Sequence, residues 1–458
     1  MRIRVDIPFL IDEICSATGA RPSERIDKGT LINTICTDTR ECEYGDLFIA
    51  LSGEKESGEK YINDALCKGC IPLSTSARED VLTVRDTADA LLNIAKTYKI
   101  KVAPIYTVAV TGSVGKSTTV KFLSKILREK YRVHSTPGNF NNHIGLPITV
   151  LSMPLGTELC ILEIGMNHKG EISHLSKAVN ADLGIITGIG TAHIGNLGSR
   201  EEIAKAKLEI RDGIKSGMVL LPYGEALLDK VEGGIYAGRN SDLSDFSLDN
   251  DGDALSFRSP NRRIHGIEFF SRGEHLLSNL ALTISAADIL GLSEEEIIKG
   301  VRAITTEDLR QRFIVLKDFT VFDDSYNASL ESVDASLKSI VATGKPTGAF
   351  LGDVLELGRE TAAIHEKIGQ LAASYKIGHL YLYGNYAEYI ACGAVKGGMN
   401  KKDIYINPGV DSPEISINQI EENHVENEII LFKASHKMRL DRIADLIKER
   451  ERNGNEYK

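Results

Sequence analysis

The sequence predicts an α/β protein of three domains. A central parallel-sheet domain carries a nucleotide-binding P-loop and a small β-rich insert, an N-terminal domain precedes it, and a C-terminal doubly wound, Rossmann-like domain follows. Three observations carry this prediction. The run Val108-Ala-Val-Thr-Gly-Ser-Val-Gly-Lys-Ser-Thr-Thr119 is a β-branched strand, a small-residue turn and the opening of a helical pattern that continues through Arg128. Beyond it, apolar runs of strand length alternate with helical patterns, the order that lays parallel strands under helices. A chain of 458 residues also has room for several cores of ordinary size.

In chain order, residues 1–102 mix short strands (34–37, 47–51) with helices and end in a helix over 88–98, and Lys99-Ile-Lys-Val-Ala-Pro104 reads as the joint. Residues 103–308 form the central block, with strands at 108–111, 159–164, 183–187 and 217–221 and a helix over 201–212. Its stretch 232–273 is rich in turns between β-like runs and reads as the antiparallel insert; a helix over 276–290 follows, then a capping box at Ser293-Glu-Glu-Glu296. Residues 309–458 alternate again: strands at 319–323, 348–351, 379–383 and 428–432, and helices over 329–341, 361–374 and from about 437.

Composition narrows the function. A net charge of −10 argues against a broad basic face for nucleic acid. Seven cysteines, odd in number and scattered, make no disulfide framework, and the lone Cys67-Lys-Gly-Cys70 reads as helix–turn packing. Asp6, Asp12 and Glu13 interrupt any signal-like apolar segment, and no apolar run approaches the ~20 residues of a membrane span. A cytoplasmic location is the expectation.

The chemistry-bearing residues gather around the opening motif. Gly112 and Gly115 let backbone approach phosphate, the helix that starts at Lys116 offers unpaired N–H groups, and Ser117 supplies a hydroxyl for Mg²⁺. The general G-x-x-x-x-G-K-[ST] template fits with Val110 in place of its first glycine. Glu163 closes an apolar strand, where a Mg²⁺ ligand belongs beside a phosphate loop. Thr187-Gly-Ile-Gly-Thr-Ala-His193 sets a histidine on a glycine-rich loop past another strand end. Lys205 and Lys207, on the next helix, read by themselves as solvated lysines. The amides of Asn139, Asn141 and Asn142 suit an oxygen-rich ligand or a simple Asx turn. Asp323-Asp-Ser-Tyr-Asn327, Gly352-Asp353 and Lys433-Ala-Ser-His436 stand at three strand ends that share one edge if the sheet is parallel. Arg312 either clamps a nucleotide or tethers domains.

The order of these motifs resembles the Mur ligases, the ATP-dependent amide-forming enzymes of peptidoglycan assembly. Their phosphate loop, T-G-[ST]-x-G-K-[ST]-[ST], lacks the first glycine and fits Thr111–Thr118. Further matches are Asp38-Thr-Arg40 with Gly45-Asp-Leu-Phe48, Gly138-Asn-Phe-Asn-Asn-His-Ile-Gly145, Glu163-Ile-Gly-Met166, Ala192-His193, Ala206-Lys207, Gly273-Glu-His275 with Asn279, Arg312, Asp324-Ser-Tyr-Asn-Ala328, Gly352-Asp-Val-Leu-Glu-Leu-Gly358 and His365. The resemblance implies that Thr111, Gly112, Ser113, Val114, Gly115, Lys116, Ser117 and Thr118 hold ATP phosphates, with Ser117 on a first Mg²⁺. It implies Glu163, His193 and Lys207 for the metals, two Mg²⁺ in all, with Lys207 carrying a carbamate formed from CO₂. Lys116, His193 and Lys207 are thereby the implied catalytic groups. Asn279, Arg312 and Asp324 are implied for adenine and ribose, with His275 nearby, and Thr39 and Arg40 for a uridine diphosphate end. Asn139 and Asn142 are implied for substrate, and Tyr326, Asn327 and Ser435 for the incoming amine. The implied substrates are UDP-N-acetylmuramoyl-tripeptide and D-alanyl-D-alanine, joined by a monomer through an acyl phosphate at the cost of ATP.

The chain departs from the family pattern at four places. Ser57-Gly-Glu59 stands for Asp-Gly-His, Ser329-Leu330 for Asn-Pro, Lys433-Ala-Ser-His436 for Lys-Gly-Ser-Arg, and Leu221-Pro-Tyr-Gly-Glu225 for an Asn-x-Asp run. A related ligase adding another amine is therefore one alternative. A nucleotide switch is another: Asn400-Lys-Lys-Asp403 fits a guanine motif, but in a different domain from the loop.

Overall fold

The computed structural model describes residues 1–53, 56–271, 273–308, 311–408 and 412–456. Three sheets follow one another along the chain. The first has the order β1-β2-β3-β4-β5 (Arg2–Leu10, Leu31–Cys36, Leu47–Ile49, Ile71–Ser74, Leu82–Thr83), antiparallel between β1 and β2 and parallel thereafter. The sequence reading overlooked β1. Its inward residues Ile3, Val5 and Phe9 are buried while Arg2 and Arg4 face out, the period of a half-buried strand.

The expected joint at 99–104 is mostly helix. The helix Thr87–Val102, capped by the Asp86 carboxylate on the Asp89 N–H at 2.8 Å, continues through Lys99–Val102 and ends where Ala103 turns left-handed at φ 52. Its last turns join two domains instead of separating them. The buried Tyr98 hydroxyl accepts the Asp6 N–H at 3.1 Å and donates to the Met153 carbonyl at 3.0 Å. Lys99 reaches the Val179 carbonyl, and one apolar core runs from Ile3 to Leu228 without a break between the domains.

The central sheet has nine strands: β6 (Tyr106–Thr111), β7 (Val133–Ser135), β8 (Leu159–Glu163), β9 (Leu183–Ile186), β10 (Val219–Pro222), β11 (Gly234–Arg239), β12 (Phe246–Asp251), β13 (Ala254–Arg258) and β14 (Arg263–Ile267). Their order is β14-β13-β12-β11-β10-β9-β6-β8-β7. The stretch expected as an antiparallel insert extends this sheet. The pairs β10–β11 and β11–β12 are parallel, and only β12–β13–β14 is antiparallel, with β12 and β13 turning at Gly252-Asp253, Gly252 at φ 61. Phe246 and Phe257 stack across that hairpin at 6.0 Å, giving it its own apolar anchor.

The third sheet has the order β15-β16-β20-β17-β18-β19, with β15 (Arg312–Val315), β16 (Phe319–Asp323), β17 (Thr347–Gly352), β18 (His379–Tyr383), β19 (Ile404–Asn407) and β20 (Glu428–Lys433). All its pairs are parallel except β15–β16, and separate apolar clusters cover its two faces, as a doubly wound sheet requires. β16, β20 and β17 are neighbours, so the three polar strand ends noted in the sequence do share one edge.

Candidate active site

The phosphate loop leaves the C-terminal end of β6, an interior strand of its sheet between β9 and β8, and enters the helix Lys116–Leu127. Backbone geometry demands its glycines. Gly112 sits at φ 146 with the Thr187 hydroxyl 2.1 Å from where a Cβ would be; Gly115 sits at φ 83, and its Cβ would lie 2.5 Å from Asn279 Oδ1. Thr111 donates its hydroxyl to the Ile164 carbonyl at 2.7 Å and the Ser113 N–H donates to Gly188 at 2.9 Å, so the loop is pinned to the ends of both flanking strands. Lys116 Nζ donates to the Gly112 carbonyl at 2.8 Å. Among the described residues the buried Ser113 hydroxyl has no hydrogen-bond partner, as expected of a group that awaits an anion. Gly115→Ala combines a strained backbone with a collision at Asn279. It is expected to weaken ATP binding at least about tenfold and to cost about 1–3 kcal/mol of stability, read by titration calorimetry and by the urea midpoint.

Glu163, at the end of β8, is 2 % exposed and accepts the Ser117 hydroxyl at 2.6 Å. Its other oxygen accepts the Asn141 amide at 2.7 Å, and its own N–H donates to Thr136 Oγ1. A buried carboxylate bracketed by a phosphate-loop hydroxyl and an amide fits an oxygen-ligated Mg²⁺ completed by phosphate and water. Among the described residues no three His, Cys, Asp or Glu side chains cluster for a metal, so an all-protein cage is not what this site offers.

Lys207 departs furthest from its sequence appearance. It lies on the helix Arg200–Leu208, capped by Ser199, and is 1 % exposed, not solvated; the expected helix tightens into a 3-10 turn from Glu209. Burial, then the charge of Lys116, push its amine well below the ordinary lysine range, against the opposing pull of Glu163, Glu171 and Glu209. That direction favours the neutral, nucleophilic form of the amine.

His193, left-handed at φ 64, places Nδ1 2.6 Å from a carboxylate oxygen of Glu356 in the C-terminal domain. That hydrogen bond holds the Glu356 carboxyl below its usual range. Asp324 accepts Lys433 Nζ at 2.7 Å and the Ser336 hydroxyl at 2.5 Å, and Lys433 also donates to the Asn327 carbonyl at 3.0 Å. Ser435 accepts the Leu355 N–H at 2.8 Å and donates its own N–H to the Asp353 carbonyl. Tyr326 packs its ring 5.4 Å from that of His436. Burial lowers the pKa of His275, which also feels the charges of Asp324 and Lys433. The Asn279 helix and the amine-side strand ends therefore face one another.

Other expected residues are engaged locally. Arg312 binds Asp323 at 2.6 and 2.8 Å and Asp445 at 3.4 Å, all within its own domain. Arg40 is exposed and paired with Asp38 at 2.6 Å, while Thr39 is buried and its carbonyl takes Lys68 Nζ, both just past β2 on the N-terminal sheet. Asn139 is exposed, and Asn142 caps the Ile144 and Gly145 N–H groups. The amide that reaches Glu163 is Asn141, between them. It and Glu356 are site residues the sequence reading did not select. The only signals for them were membership of the Asn cluster and of the Gly352–Gly358 passage.

The Mur ligase middle domain family matches residues 110–287. Over 95% of this chain and 97% of the relative, the sequence is 35% identical to the UDP-N-acetylmuramoyl-tripeptide–D-alanyl-D-alanine ligase of Bacillus subtilis. It is 30% identical to the same enzyme of Synechocystis over 89% of this chain and 90% of the relative. MurF from Acinetobacter baumannii superposes with a TM-score of 0.86 at 25% identity, covering 98% of this chain and 100% of its own. MurF from Thermotoga maritima in complex with ADP has the same fold, with a TM-score of 0.78 at 24% identity over 92% of this chain and 98% of its own. A phosphate loop of the family's form, a buried lysine and carboxylate behind it, and similarity that runs unbroken through all three sheets lead to one conclusion: this chain belongs to the Mur ligase family and groups with its tripeptide–D-alanyl-D-alanine ligases.

Proposed function

We propose that this chain, acting as a cytoplasmic monomer, forms the amide bond between the terminal carboxylate of UDP-N-acetylmuramoyl-tripeptide and the amino group of D-alanyl-D-alanine, with ATP converted to ADP and phosphate. The observation that supports this most is the pair of buried groups Lys207 and Glu163 beside Lys116 of the phosphate loop, in a chain similar over nearly its whole length to such ligases. The acceptor carboxylate attacks the γ-phosphorus and ADP leaves, giving an acyl phosphate. The dipeptide amine then attacks the acyl carbon, loses a proton, and phosphate departs. Lys116 and the backbone of 112–117 hold the phosphates, while Asn279 and Asp324 hold the nucleoside end. Ser117, Glu163, His193 and Lys207 would hold two Mg²⁺, which when bound offset the charge gathering on the transferred phosphoryl group. The neutral Lys207 amine can add to CO₂ with loss of one proton, and the carbamate so formed supplies an anionic oxygen ligand. Thr39 and Arg40 receive the uridine diphosphate end, with Asn139 and Asn142 on the acceptor side. Tyr326, Asn327 and Ser435 receive the amine.

The test is an acceptor and amine panel with ATP and Mg²⁺, read by product mass and phosphate release. Ligation of D-alanyl-D-alanine to the tripeptide acceptor is the expected result; phosphate release without a new amide overturns it. The substitutions at Ala434 and His436, beside the proposed amine site, favour a second reading in which a variant dipeptide is preferred, and the same panel ranks it.

A further inference from the structure

The loop that carries His193 lies against the C-terminal domain at four points. His193 Nδ1 meets the Glu356 carboxylate at 2.6 Å, and the Gly195 N–H donates to the Glu356 carbonyl at 3.0 Å. Thr191 gives its N–H and its hydroxyl to Glu331 at 3.1 and 3.0 Å. Ile194 packs into the apolar cores of both domains. The fit is close enough to exclude side chains: a Cβ on Gly195 would lie 2.6 Å from the Glu356 carbonyl oxygen, and one on Gly358 2.9 Å from Gly195 Cα. His193 and Glu356 are both left-handed at φ 64, a conformation that costs a non-glycine residue about 1 kcal/mol or more. Strain at both ends of one hydrogen bond persists because the surrounding seat fixes it.

We infer that Glu356 is a positioning residue for His193. A carboxylate only accepts, so Nδ1 carries a proton, and in the neutral ring the lone pair is thereby kept at Nε2, the arrangement that readies an imidazole to bind a cation or accept a proton. Because Glu356 belongs to the C-terminal domain, the ring is set only when that domain is seated. Arrival of the amine-bearing domain and readiness of the phosphate-side histidine thereby become one event. What the ring then does rests on the ligase reading above; the contact that sets it does not.

The experiment uses full-length Glu356→Ala, Glu356→Gln, His193→Ala and the double variant. Glu356→Ala is expected to lower kcat about 10–100-fold, the usual effect of removing a carboxylate behind a ligand histidine, with ATP affinity unchanged. Glu356→Gln, whose side-chain carbonyl still accepts from Nδ1, is expected to restore most of the loss. The double variant is expected to be no worse than His193→Ala. Independently of turnover, ¹⁵N NMR of the His193 ring is expected to show a protonated Nδ1 in the parent and a mixture of tautomers in Glu356→Ala. Wild-type kcat in Glu356→Ala, losses that add in the double variant, or ring shifts indifferent to the substitution each overturn the inference. If no acceptor is ligated at all, the ring shifts still decide it, and the failure then belongs to the ligase reading alone.

Discussion

Lys207→Met is expected to leave a protein more stable than the parent in CO₂-free buffer and nearly inactive. The thioether fills the same volume without a buried amine and without facing the charge of Lys116, which removes the cost of hiding a polar group, about 1–3 kcal/mol. Activity should fall about 10²–10³-fold, the usual effect of deleting one charge-stabilising group, because no carbamate can form. The pH dependence has a definite sign. Folding lowers the Lys207 pKa below that of the unfolded chain, so the unfolded state binds more protons and parent stability rises with pH up to the ordinary lysine range. The advantage of the methionine variant should therefore shrink as pH climbs towards the ordinary lysine value near ~10.4. Thermal melts of both proteins across pH, with parent turnover before and after bicarbonate is added to scrubbed buffer, check each part. Parent turnover indifferent to bicarbonate would remove the carbamate from the proposal.

Lys116→Ala is expected to cost about 10³-fold in kcat, because it removes the mobile cation that follows the γ-phosphoryl oxygens between ATP and the acyl phosphate. ATP affinity should fall less, since Gly112–Ser117 still offer backbone N–H groups and the helix terminus. The substitution has a second consequence. Lys116 is, after burial, the largest influence depressing the Lys207 amine, so removing it raises the protonated fraction of Lys207 and slows its reaction with CO₂. Losses from Lys116→Ala and Lys207→Met should thus fall short of additive in the double variant, measured by single-turnover phosphate release.

The phosphate loop was legible because its chemistry is contiguous: strand, turn, lysine and hydroxyl fall within a dozen letters. The positions of Glu163 at the end of β8, and of Asp324 and Ser435 just past β16 and β20, were legible because strand ends in a parallel sheet share an edge; β8 adjoins β6, and β16, β20 and β17 are neighbours. Helix Thr361–Ser374 and strand His379–Tyr383 matched their expected bounds, since their apolar periods are clean. Lys207 was not legible from periodicity. Its helix is too polar to announce a buried face, and it is the tertiary fold, with Lys116, Glu163 and Glu171 near enough to act on its charge, that takes the amine out of water. Asn141 could not be told from its neighbours, because which of three adjacent amides turns inward is fixed by the Gly165 N–H on its carbonyl at 2.7 Å. Glu356 meets His193 across 163 positions of sequence, a separation that local pattern cannot span. β1 and the helical continuation to Val102 were lost to a reading that looked for a leader and a linker where the chain was making core.

The continuous core from Ile3 to Leu228, bolted by Tyr98 between Asp6 and Met153, bears on how reactants find one another. On the ligase reading proposed above, the acceptor site and the phosphate loop share one continuous core, so with both ligands bound the carboxylate would meet the phosphoryl group at an effective concentration set by the fold, not by diffusion. Only the amine would then remain to be delivered: a three-body encounter becomes a two-body one, and the entropy of placing the other two sites side by side is settled when the chain folds.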